Sequence, residues 1–510
     1  MQKIELLLDG SLFFRGILAF FNAIIRFFEG SFIVRLFIAD FDETRLKNSR
    51  FVQFVEFLLN RFPKLQTAEN YLPNVSKLPK LPKLPKWLQG SYFATTLPAA
   101  MNTPLAGNPI KWLVTAFPIW GLLAIIMATP FLPTMLLAGM VVMVFGVALF
   151  VYNFKLDITA TALFFYIIVT FVMAYGSLAP ATSIPIAFLT TAIMLSYVLM
   201  YTCFSSRSSL NIAMAVVITI AAVTAFIAFY QIFIGYVNMT WVDRDLFAAL
   251  SLRVYSTFGN PNVYGAYLLL AIPLSAGLIL YVEKPIYKLY ALAVTGVLVV
   301  ALALTYSRGC YLALAGAVFF FMLLVEKRLI VLYALGLAVA PFVLPDRIIA
   351  RLVSILNFAD TSTSFRISIW QASIRILEDF WMAGLGQGIE AYNMAYPFYS
   401  FAAVPAPHAH NLFLQVFLET GIIGLLAFLA VLAGFFRTQF SFMRTTQDTR
   451  RKMLAAAITA GVVGFLFQGM FDHVFYNYRV MLAFFLFLGI GTAVVKCDNC
   501  DKRDKEEVSL

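Results

Sequence analysis

Residues Ile184 to Ile234 read IPIAFLTTAIMLSYVLMYTCFSSRSSLNIAMAVVITIAAVTAFIAFYQIFI. Two apolar runs, Ile184–Phe204 and Leu210–Ile234, flank a short polar turn whose one charge is Arg207. Each run supplies the roughly 17–25 residues that a helix needs to cross a bilayer core. A charge at the bilayer centre costs about 2.5–3.5 kcal/mol, so uncharged runs of this length read as spanning helices.

The same pattern recurs on both sides. The other segments are Trp112–Thr129, Leu132–Val151, Ile158–Gly176, Val263–Tyr281, Leu289–Thr305, Cys310–Val325, Leu329–Leu344, Leu412–Phe436, Met453–Phe471 and Val480–Val495. The composition agrees: 61% hydrophobic, 12% charged and a mean hydropathy of +0.85 over 510 residues. A soluble domain cannot hide that much apolar surface. The expected fold is an all-α, polytopic integral membrane protein of about twelve transmembrane helices, with a large outer-face loop between the ninth and tenth.

Residues 1–90 differ. Arg15, Arg26, Arg35, Arg50, Glu56 and Arg61 recur too often for a spanning helix, which points to amphipathic helices on the cytoplasmic surface. The repeat KLPKLPKLPKW, Lys77 to Trp87, has proline every third residue and reads as an extended basic linker. Residues 112–495 form the membrane domain, including an outer loop over 345–411, and 496–510 form a charged tail. The first residues carry acids and no short apolar core, so no cleavable signal peptide is expected. Cys203, Cys310, Cys497 and Cys500 are too few and scattered for a disulfide framework. The tail's CxxC has no two further zinc ligands nearby.

The net charge of +11 is explained by membrane topology and anionic lipid, so lipids are expected partners and nucleic acid is not. Lys111, Lys155, Arg207, Lys284, Lys288, Lys327, the run 437–452 and the tail fall on one set of loops, the expected cytoplasmic side together with both termini. The alternate loops carry eight arginines, Arg244, Arg253, Arg308, Arg347, Arg351, Arg366, Arg375 and Arg479, and no lysine. Arginine offers a rigid fork that matches phosphate oxygens bidentately, so an outward diphosphate site is one reading. Pairing with loop acids such as Asp346, Asp360 and Glu390 is the other.

Four outer stretches carry candidate chemistry. RVYSTFGNPNVYGAYLLL (253–270) holds Arg253 and breaks the helix around Asn260, Pro261 and Asn262. TYSRGCYLAL (305–314) is a tight turn with Arg308. Residues 364–392 hold Arg366 and the run GLGQG. PHAHNLFLQVFLETGIIGLL (407–426) carries His408, His410 and Asn411. A histidine at a membrane surface titrates near neutrality and can accept a hydroxyl proton. His473 in the last outer loop is a further residue that can line the site. Glu419 is the only Asp, Glu, Lys or Arg inside the twelve segments, and a hydrogen bond to a neighbouring helix is its expected role. No acidic cluster of the kind that holds magnesium or manganese stands out.

Taken in order, these stretches resemble the O-antigen ligase and polymerase family of bacterial envelopes, over roughly 184–495. The most specific match is His410-Asn411, nine residues, then Gly421-x-x-Gly424. Leu425 and Leu426 stand where ligases often carry two threonines, which keeps the polymerases in view. The resemblance implies a metal-independent, inverting glycosyltransferase of the inner membrane that needs no cofactor. The donor would be a glycan on undecaprenyl diphosphate, and the acceptor lipid A core or another glycan. His410 would be the essential histidine and general base, with Arg253 and Arg366 on the diphosphate and Arg308 beside them. His408, Asn411, Asn260, Asn262 and His473 would line the site. Protein O-glycosylation is an alternative acceptor chemistry. A flippase of lipid-linked sugars is the rival of a different class.

Overall fold

The computed structural model describes residues 48–64, 109–235, 253–326, 328–354, 361–400 and 406–508. Most of the N-terminal region, the LPK linker and Arg244 lie outside the described residues. One N-terminal helix, α1 (Arg50–Asn60), is described. Val52, Val55 and Leu59 recur at helical spacing and are buried, while Phe54, Phe57 and Leu58 are exposed. The Asn60 side chain hydrogen-bonds both the N–H and the carbonyl of Phe154, which fixes α1 beneath the turn over 152–157.

The chain then runs as α2 (Pro109–Ala128), α3 (Thr134–Val151), α4 (Ile158–Tyr175), α5 (Pro180–Cys203), α6 (Arg207–Phe233), α7 (Pro261–Tyr281), α8 (Pro285–Leu304) and α9 (Arg308–Val325). There follow α10 (Leu329–Val343), α11 (Asp346–Val353), α12 (Thr361–Phe380), α13 (Ile389–Tyr399), α14 (Leu412–Thr445), α15 (Thr449–Gly469) and α16 (Tyr478–Val508). No strand occurs among the described residues.

Ten of these helices, α3 to α9 and α14 to α16, are long and apolar enough to cross a membrane. Each of the twelve expected segments coincides with a helix; among the described residues ten pass this test, or eleven if the bent pair α10–α11 is one span, so the count of twelve is not confirmed. The apolar described part of α2 is only Ala116–Ala128. At α10, Leu344 turns extended ahead of Pro345, and α11 leaves at 116°. Proline disfavours a helical residue before it and cannot donate to the helix ladder, which accounts for the break.

The most buried spans are α7, α15 and α16. α7 packs along α15, α4 along α14, and α5 along α16. The stretch between the ninth and tenth segments is itself folded. Ile369, Ala372 and Ile376 of α12 meet Tyr392 and Tyr396 of α13 and Leu418 of α14 in a separate apolar core. This layer sits over one end of the bundle and brings its side chains to the start of α14.

Candidate active site

Helix α14 starts where Asn411 caps it: its side chain accepts from the Leu414 N–H at 2.9 Å and donates to the Met470 carbonyl at 2.9 Å. His410, just before the cap, has φ +48°, the left-handed region that a histidine enters only at a cost of about 1–3 kcal/mol. Local bonds hold it there. The Ala409 N–H donates to Gln415 Oε1 at 2.8 Å, and the His410 N–H donates to His408 Nδ1 at 3.2 Å.

The His410 ring then faces Asp472, which arrives from the loop between α15 and α16. His410 Nδ1 lies 3.1 Å from Asp472 Oδ1. Asp472 is buried, whereas the His410 side chain is 29% exposed. Burial alone would raise the Asp472 carboxyl, but the hydrogen bond and charge of His410, with Arg366, hold it well below the usual carboxylate range. A carboxylate only accepts, so in the neutral form of the ring Nδ1 of His410 carries the proton and Nε2 the lone pair. This is the orientation a general base requires.

All three histidines of the chain converge here. The His408 ring centroid lies 4.3 Å from that of His410 and 5.3 Å from that of His473, and the ring stacks on Tyr476 at 4.9 Å. Burial first, then His410 and Arg366, push His408 down to about 4. Burial and the neighbouring His408 push His473 well below its ordinary value. Both stay neutral at neutral pH.

Asn262 joins this dyad to the arginines. Its Nδ2 donates to Asp472 Oδ2 at 3.1 Å, while its Oδ1 accepts from Arg253 Nη2 at 3.2 Å and Ser307 Oγ at 2.9 Å. Asn260 caps α7 by accepting from the Asn262 N–H at 2.8 Å. Arg253 Nε donates to the Thr305 carbonyl at 2.9 Å. Burial and the positive charges of Arg351 and Arg308 push the Arg253 guanidinium down to about 9, which still leaves it cationic at neutral pH. Arg308 Nη1 is held by the Ser354 carbonyl at 3.1 Å and Arg351 Nε by the Tyr306 carbonyl at 3.3 Å. The charge of Arg366, on α12, reaches both Asp472 and His408.

The structure thus brings Arg253 to Asn262 and Arg366 to the His410–Asp472 pair, with Arg308 beside Arg253. Asn411 and Asn260 act as caps. Asp472 was not singled out by sequence reasoning, and Arg351 stood only as one of the eight outer arginines. The one available signal was an acid beside a histidine, Asp472-His473, in a short loop. Arg479 takes a different role, with its guanidinium donating to the carbonyls of Pro130 and Thr257, both at 2.9 Å.

The two glycine motifs explain each other. Gly421 has φ +64° and interrupts α14, and a Cβ there would lie 2.0 Å from the Met382 carbonyl oxygen. GLGQG docks at this break: the Leu385 and Gly386 N–H groups donate to the carbonyls of Leu418 and Glu419, and the Ile422 N–H to that of Trp381. A Cβ on Gly386 would lie 1.8 Å from Ser177 Oγ. The glycines therefore clamp the α12–α13 layer onto the bundle. Glu419 accepts from Gln415 Nε2 at 2.9 Å and the Gly388 N–H at 3.5 Å, so its partners are its own helix and a loop, not a neighbouring helix.

His408, His410 and Asp472 each place a ligand atom within 4.8 Å of the others, a spacing that could receive a metal ion. His408 Nδ1 and both Asp472 oxygens already serve hydrogen bonds, which a metal would have to displace.

No curated protein matches this chain. Residues 291–429 match the family model described as O-antigen ligase. The matched stretch contains Arg308, Arg366, His408, His410 and the Gly421 break, while Arg253, Asn262 and Asp472 lie outside it. Over that stretch this multi-pass membrane protein is similar to the O-antigen ligase family.

Proposed function

We propose that this protein transfers a glycan from undecaprenyl diphosphate to an acceptor hydroxyl, with inversion and with His410 as general base. The observation that carries this reading is the His410–Asp472 pair joined through Asn262 to Arg253. Nε2 of His410 takes the acceptor's proton as its oxygen attacks the anomeric carbon. The bond from that carbon to the diphosphate breaks, and its electron pair leaves on the diphosphate oxygen. Asp472 steadies the imidazolium until the proton passes to solvent. Arg253, Arg308, Arg351 and Arg366 meet the charge that develops on the leaving group, where fixed donors act most strongly.

Several finer assignments belong to the same proposal. The lysine-free arginine loops support a site on the outer face of the inner membrane, with both termini cytoplasmic. The acceptor is the lipid A core, in the manner of a ligase, with another glycan as the polymerase alternative. The dyad supplies the base without a metal.

The test is glycan transfer by purified protein in mixed micelles, where flipping has no meaning. Transfer that survives EDTA and is lost in His410→Ala fits the proposal. Transfer abolished by EDTA and restored by a divalent ion would instead favour a metal held by His408, His410 and Asp472. In cells lacking the protein, accumulated full-length lipid-linked chains mark a ligase. Accumulated single repeat units mark a polymerase.

A further inference from the structure

Behind His408 lies a cleft that the dyad chemistry does not use. Glu419, Gln387, Gln415, His473, Tyr166 and Tyr478 line it, around a cavity of about 110 Å³ that opens outward.

Its chemistry is specific. No lysine or arginine is among the lining residues to hold a phosphate, so an anion is a poor occupant. Two of its polar side chains are more than nine-tenths buried and lack a protein partner among the described residues: Gln387 through Oε1 and His473 through Nδ1. Native structures seldom leave such groups unmet, and a ligand is one way to meet them. Both hydrogen bonds to Glu419 fall on Oε1. Three tyrosines, Tyr166, Tyr476 and Tyr478, give the walls aromatic faces. A carboxylate, amides and an imidazole against aromatic walls suit a neutral ring with many hydroxyls.

We propose that this cleft seats a sugar ring of the acceptor. Ring hydroxyls donate to Glu419, Gln387 Oε1 and His473 Nδ1, and the ring packs against the tyrosines. The proposal rests on the glycosyl-transfer reading for the word acceptor. His408 lines the cleft, and its ring centroid is 4.3 Å from that of His410, so a ring seated here adjoins the base. The donor's sugar is tied to the diphosphate, and neither Arg253 nor Asn262 lines this cleft.

The experiment is saturation-transfer NMR on the full-length protein in detergent micelles. The probes are the methyl glycosides of glucose, galactose and N-acetylglucosamine, with unlinked undecaprenyl diphosphate as competitor. At least one glycoside is expected to take up saturation. Glu419→Gln, an isosteric change, and Gln387→Ala should each weaken its binding at least about tenfold, with melting temperatures near wild type. Undecaprenyl diphosphate should not displace it. Three results would overturn the proposal: no glycoside binds, binding is indifferent to both cleft variants, or undecaprenyl diphosphate competes with it. The readout is binding alone, so a failure of transfer leaves the glycoside signal in place and is told apart from a failure of this site.

Discussion

Helix α16 runs from one aspartate to another, and the two are used differently. Near its far end, Asp157 caps α4 by accepting from the Ala160 N–H at 2.7 Å, accepts from Tyr197 Oη at 3.1 Å, and pairs with Lys496 at 3.3 Å. Near its start, Asp472 accepts from His410 and Asn262. Asp157 ties three helices together through donors whose task ends with holding it. Asp472 is the more deeply buried of the two, yet one of its donors is a ring that remains 29% exposed. A carboxylate spent on a half-open imidazole does more for chemistry than for packing.

The largest effect that would sharpen this contrast is on His410. His410→Ala should cut transfer by about 10²–10⁴-fold while the melting temperature stays near wild type, measured on purified protein in micelles. A wild-type rate would break the contrast outright.

Next come the arginines. Arg253→Ala should lower transfer by about 10²–10³-fold. Arg253→Lys should recover only part of it, since a lysine cannot reproduce the fork that reaches both Thr305 and Asn262. Binding of unlinked undecaprenyl diphosphate checks that the loss sits on the leaving group.

Asp157→Ala should act on stability instead. Losing the α4 cap costs about 1 kcal/mol, read as a lower melting temperature, with transfer per folded molecule unchanged. A specific loss of transfer there would erase the distinction between the two aspartates.

The smallest effect is a slope with pH. His408 sits at about 4, below its ordinary 6.5, and His473 is lowered as well. Between those values the unfolded chain binds protons that the folded chain refuses. Stability should therefore rise from about pH 4 to 6.5 and be lost as pH falls. His408→Gln should flatten that slope in melting curves taken from pH 4.5 to 7, while Asp157→Ala should leave it alone. The part owed to Asp472 is lost only below the ordinary carboxylate range, which separates the two windows.

Much of the fold was legible because a bilayer penalises charge so heavily that clean runs such as Leu210–Ile234 have one reading. The ninth segment was not, because its apolar run hides Pro341 and ends on Pro345, and composition alone does not weigh a bend. His410 was legible from its spacing to Gly421. Asp472 was not, since 62 residues separate the partners and only the packing of α15 beside α14 closes that distance. Of the glycines, only the spacing of Gly421 and Gly424 from His410 was legible. Their true constraint, backbone meeting backbone at Met382 and Gly421, needs the folded α12–α13 layer before it exists.

The most direct test of the central claim, that His410 is a base oriented by Asp472, is a double-mutant cycle on transfer rate with His410→Ala and Asp472→Asn. Asparagine keeps the shape of Asp472 but can donate to Nδ1, which would favour the wrong tautomer. If the two act as a unit, each single variant loses most of the rate and the double variant loses little more. If the two losses multiply, or if Asp472→Asn keeps the wild-type rate, Asp472 does not work through His410 and the dyad is not the catalytic device.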